Sequence, residues 1–151
     1  MGASPLAGQL PLTISGQTGR IQGADTVPVR GVRITLHRVS RTAQGAIDST
    51  TTGSDGQFWF RAAGDTTAIY LVSASYAGIE YFAEPVRVPG VEDIRIVVSD
   101  TSSTAPVRLG TRHLIIRPPD ASGSRPVLDL LSMRNDGPDT RIGPDSLSPS
   151  W

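Results

Sequence analysis

The residues able to do chemistry are few in this chain and do not converge. His37 and His113 are its only imidazoles, and a metal site would need two or three further ligands beside either one. Both read as surface side chains, His37 on the outward face of a strand with Arg33 and Thr35. Serine and aspartate are plentiful, but no Gly-x-Ser-x-Gly elbow sets up a nucleophile. Paired carboxylates of the glycosidase kind would have to come from Glu80, Glu84, Glu92 or the aspartates. Glu80 and Glu84 are an even number apart and so share a face of one strand, which chance supplies readily. Asp55, and the group Asn135, Asp136 and Asp139, lack the spacing of a calcium-binding loop. Turn formation accounts for them, because Asp and Asn side chains bond their own backbone. The expectation is a non-enzymatic protein with no catalytic, cofactor-binding or metal residue.

Composition narrows the classes further. Fourteen basic residues balance fourteen acidic ones in 151 residues, so no global field favours nucleic acid or an anionic membrane. All the basic residues are Arg, which excludes Schiff-base and lysine-nucleophile chemistry. Cysteine is absent, which removes disulfides, thiolate metal sites and cysteine nucleophiles. No run approaches the ~20 apolar residues that span a bilayer, so no transmembrane segment is expected. Sixteen Gly and twelve Pro fall between short Val/Ile/Leu/Tyr/Phe runs, a pattern that favours an all-β chain with frequent turns.

Thr50 to Phe60 is the element around which the rest is arranged. It reads as a β-hairpin, with Asp55 and Gly56 giving the backbone freedom at the bend. Alternation sends Phe58 and Phe60 to the core and Trp59 to the opposite face, between Gln57 and Arg61. An outward indole flanked by hydrogen-bonding side chains is suited to stacking on a sugar ring or filling a partner's pocket. Tyr70 and Tyr76 share one strand face, and Tyr81 lies on the next strand; together they could widen an aromatic platform for a ligand or partner.

The other strands follow by the same period of two. Leu12 to Gly16 reads as a first, edge-like strand, and Gly19 to Pro28 as a loop. Val32, Ile34 and Leu36 point inward on the clearest strand of the chain. Ala46 to Thr52, Ile69 to Tyr76, Ile79 to Val86 and Asp93 to Ser99 complete the set, giving a small sandwich over residues 11–99. Residues 1–10 read as a flexible N-terminus with no charged or apolar leader region, its small-residue ending similar to the remnant of an export signal. Residues 100–107 lack large hydrophobes and read as a linker. Strands at Arg112–Arg117 and Val127–Arg134 within 108–151 read as a partial, truncated second β domain.

The ordered set Ile14-Ser15-Gly16, Gly31-Val32-Arg33-Ile34-Thr35-Leu36, Thr50-Thr51-Thr52, Asp55-Gly56-Gln57-Phe58 and Tyr70-Leu71-Val72 resembles the carboxypeptidase regulatory-like domain. That is a seven-stranded Greek-key sandwich of transthyretin-like (prealbumin-like) type. The resemblance covers roughly residues 12–99 and implies a non-catalytic module of a bacterial protein that is periplasmic, outer-membrane-associated or secreted. The Lys–Asn crosslink of the pilin-like branch is impossible without lysine. The expected function is a structural or interaction module with a protein partner. Two alternatives stand beside it: polysaccharide binding through exposed aromatics, and an N-terminal extension of a TonB-dependent outer-membrane transporter.

Overall fold

The computed structural model describes residues 9–145. The expectations for residues 1–8, and for residues 146–151 at the end of the second β segment, lie outside them. The chain divides after Ser99 into two units, and each is described by itself. Every regular element among the described residues is a β-strand.

The first unit is a sandwich of two four-stranded sheets. One sheet is built on β1 (Gln9–Gln22), which pairs antiparallel with β2 (Asp25–Pro28) and β5 (Gln57–Asp65) and parallel with β8 (Gly90–Val98). The partners β8 and β5 overlap along Thr13–Gln17, so they occupy opposite edges of β1, and β2 continues the edge begun by β5. The other sheet has the order β4-β3-β6-β7, with β3 (Arg33–Val39), β4 (Gln44–Thr51), β6 (Ile69–Tyr76) and β7 (Ile79–Phe82). Among the described residues eight strands therefore stand where seven were expected.

The core lies between the sheets and is set by alternation. Leu12 and Ile14 of β1, Phe58 and Phe60 of β5, and Ile96 and Val98 of β8 face Ile34 and Leu36 of β3 and Tyr70, Val72 and Ala74 of β6. Each such large side chain contributes on the order of 1.5–3 kcal/mol through burial.

Three local expectations are corrected. The stretch from Thr50 to Phe60 is not a hairpin: β4 belongs to one sheet and β5 to the other, so the chain crosses the sandwich there. The crossing is fixed by Thr52, which is buried and holds Val29 and Val32, and it turns at Gly53–Gly56, where the Gly56 N–H donates to the Gly53 carbonyl. The Leu12–Gly16 strand is not an edge but the middle of the central strand. The segment from Gly19 to Pro28 is not a loop but a β1–β2 hairpin closed by the two residues between Gln22 and Asp25, with Gly23 at φ 64°.

The second unit begins at Asp100. Residues 100–107, expected as a linker, contain β9 (Thr101–Ser102), which pairs in parallel with β12 (Thr140–Arg141), and the buried Ala105. Between them β10 (Val107–Ile116) and β11 (Val127–Asn135) form an antiparallel two-stranded ribbon with a bulge between Leu109 and Thr111. Asn135 closes the following turn with its own side chain, accepting the Gly137 N–H at 2.9 Å and donating to the Asp139 carbonyl at 2.6 Å.

Candidate functional site

Strand β5 presents two unlike faces because its sequence alternates. Phe58 and Phe60 are 3% and 2% exposed, while Trp59 between them is 69% exposed. The register sets Trp59 directly across from Ser15, Gln57 across from Gln17, and Arg61 across from Thr13. On the far edge of β1, Gln17 faces Arg95 of β8. The outer surface of this sheet is thus an indole surrounded by two amides, two guanidiniums and small hydroxyls.

Trp59 stands between two grooves. One, about 310 Å³, lies toward β8 and is lined by Gln17, Gln57, Asp93 and Arg95 with Phe58 and Gly16 at its base. The other, about 440 Å³, is lined by Thr13, Ser15, Phe60 and Arg61. Gly16 is required by close approach: a Cβ there would lie 2.3 Å from the Ile94 carbonyl oxygen and 2.6 Å from the Phe58 ring. The Gln17 side chain donates to the Asp55 carbonyl at 2.7 Å, so the turn that delivers β5 is tied to the same face. Asp55 and Gly56 act at that turn, where Gly56 has φ 71° and its carbonyl accepts the Thr18 N–H at 2.8 Å.

The tyrosines do not extend this platform. Tyr70 is fully buried, on the core face of the opposite sheet with Val72 and Ala74, and its hydroxyl accepts the Asp65 N–H at 2.7 Å. Tyr76 and Tyr81 are half-buried and packed against the same core, with the Tyr81 hydroxyl donating to the Ser99 carbonyl at 3.0 Å. The cause is parity. An inward strand position takes a tyrosine when its hydroxyl finds a partner at the rim of the core.

A polar cluster that the sequence did not disclose sits on the outer face of the β3–β6–β7 sheet. His37 is half-buried rather than simply on the surface, its Nε2 2.8 Å from Ser73 Oγ, and the Ser73 hydroxyl donates to Glu80 Oε1. A hydroxyl has one proton, so the imidazole is the donor to Ser73 and carries its hydrogen on Nε2. The Phe82 ring lies 6.0 Å from the imidazole. Serine is the middle member and is fully buried, so no substrate reaches its oxygen; the cluster braces three strands. Glu84 takes no part, because β7 ends at Phe82. His113 is exposed on the ribbon, across from Leu130. Among the described residues no group of three His, Asp or Glu side chains is placed to hold a metal ion.

No protein-family model matches the chain, and no characterised protein matches it in sequence. Among solved structures it is similar to the shaft pilin SpaA from Lactobacillus rhamnosus GG and to a double mutant of that pilin. Identity is 12% in both cases, over 87% of this chain and 77% of the pilin, with TM-scores of 0.37 and 0.38. A likeness at that level adds nothing to the sandwich described above.

Proposed function

We infer that the first unit is a non-enzymatic interaction module, of the kind the carboxypeptidase regulatory-like resemblance implies for secreted or cell-envelope bacterial proteins. Its docking face is the outer surface of the β1–β5–β8 sheet. The observation that carries this reading is the 69% exposure of Trp59 on a strand whose neighbouring aromatics are fully used in the core. Aromatic side chains that offer large area at little entropic cost dominate recognition surfaces. A photo-crosslinker placed at Gln57 or Arg61, used in an envelope extract, should give one discrete adduct that Trp59→Ala abolishes. Diffuse labelling insensitive to Trp59, or a hydrolase activity lost on one substitution, overturns the reading.

A glycan is the second reading, favoured by the grooves on both sides of the indole and the amide, carboxylate and guanidinium groups lining one of them. Sugar hydroxyls use donors and acceptors together while the ring stacks. In a Trp151→Phe background Trp59 is the sole indole. Titration with a panel of bacterial polysaccharides should then shift its emission; silence across the panel removes this reading and leaves the first.

A further inference from the structure

The β10–β11 ribbon leaves more apolar surface open than a two-stranded element tolerates in water. Leu109, Leu114, Ile115, Ile116, Val127, Leu128, Leu130, Leu131 and Met133 are all between 43% and 58% exposed. Directly opposed residues share a face, which sorts the ribbon into two unequal sides. One carries the pairs Leu109 with Met133, Arg112 with Leu131, Leu114 with Asp129, and Ile116 with Val127. The other carries Arg108 with Arg134, Thr111 with Ser132, His113 with Leu130, and Ile115 with Leu128. An isolated hairpin is marginally stable at best, so the richer side calls for cover.

Two observations define what covers it. The first is area. The six large apolar residues of the richer side expose on the order of 600 Å² together, whereas a standard interface takes roughly 800 Å² from each partner and is about 60% apolar. That side alone meets the apolar requirement. The second is charge. The only ionised groups on it are Arg112 and Asp129, which are already joined by two hydrogen bonds, Nε to Oδ1 at 3.0 Å and Nη2 to Oδ2 at 2.8 Å. They enter an interface as a self-neutralised pair and leave no charge for an acidic or basic partner to meet. An apolar, β-forming, internally neutral surface is what the occupant must present, and this face presents it.

We propose that the ribbon is a self-association surface, and that its occupant is the same face of a second copy of this chain. A two-fold arrangement sets each copy's Leu109, Leu114, Ile116, Val127, Leu131 and Met133 against the other's, as an isologous contact requires.

Sedimentation equilibrium of the full chain at micromolar concentrations tests this. The expected species has twice the 15.9 kDa chain mass. Leu114→Arg, on the richer side, should raise the dissociation constant at least about tenfold, while Leu128→Arg, on the other side, should leave it unchanged. Far-ultraviolet dichroism checks that both variants keep the wild-type strand content. A chain that stays monomeric throughout, or a dimer weakened equally by both variants, or by Leu128→Arg alone, overturns the proposal; a monomer would direct the search to a foreign apolar partner.

Discussion

The Thr52 hydroxyl donates to the Val29 carbonyl at 2.7 Å while accepting the Val32 N–H at 2.9 Å. One side chain thereby fastens the connection into β3 to the point where the chain leaves β4 and crosses to the other sheet. The backbone of Thr52 repeats the tie, donating to the Val32 carbonyl at 2.9 Å.

Thr52→Val keeps the shape and removes both side-chain bonds, leaving the Val32 N–H unpaired in a buried position. The expected loss is about 2 kcal/mol, read as a lower urea midpoint with unchanged slope. Thr52→Ser, which keeps the hydroxyl, should recover most of it. Equal midpoints for wild type and the valine variant would show that the crossing is held by backbone alone.

Gly56 and Gly31 separate two costs that are often confounded. Both have positive φ, 71° and 79°, but a Cβ at Gly56 would lie 2.3 Å from the Thr18 carbonyl oxygen whereas one at Gly31 meets nothing within 4 Å. Gly31→Ala should cost about 1 kcal/mol, the left-handed penalty alone. Gly56→Ala should cost clearly more, because Thr18 must also give way. Thermal melts of the two variants that coincide would contradict the close approach.

Thr18 is fully buried on β1, and its Oγ1 has no hydrogen-bond partner among the described residues. Burying an unpaired hydroxyl costs roughly 1–3 kcal/mol. Thr18→Val should therefore raise the unfolding free energy by about 1 kcal/mol after repacking, read as a higher midpoint. A destabilised valine variant would reveal a partner for that oxygen.

Acid should weaken the fold. The hydroxyl and backbone N–H of Thr67 hold the Asp65 carboxyl below its ordinary value of 3.8, and Arg112 does the same to Asp129. A carboxylate whose folded pKa is depressed contributes stability that is present above the unfolded value and is lost as pH falls through the folded one. Midpoints should be level above about pH 5 and decline below about pH 4. Asp65→Asn should flatten part of that decline; a decline of full size in the variant would place its origin elsewhere.

What the sequence disclosed follows a physical line. Alternation is local, so the inward set Val32, Ile34 and Leu36, and the split between Phe58, Phe60 and Trp59, were legible. Pairing is not local. Thr52 looks like any strand threonine until Val29 and Val32 are brought to it, so the crossing passed for a hairpin. The polar Gly19–Pro28 segment passed for a loop because β2 is a short edge strand with little burial to advertise it. Parity alone does not tell which face of β6 is inward, and the core takes the face that carries Tyr70. The His37–Ser73–Glu80 cluster required two registers at once.

The parallel pairing of β1 with β8 joins the first and last strands of the sandwich along Thr13–Arg20 and Gly90–Val98. Both strands run the same way, so tension between the start of β1 and the end of β8 acts along the ladder rather than across it. The inter-strand bonds then share the load and must slide together instead of opening one by one. Stretched between its two ends, the first unit behaves as a lap joint, not a zipper.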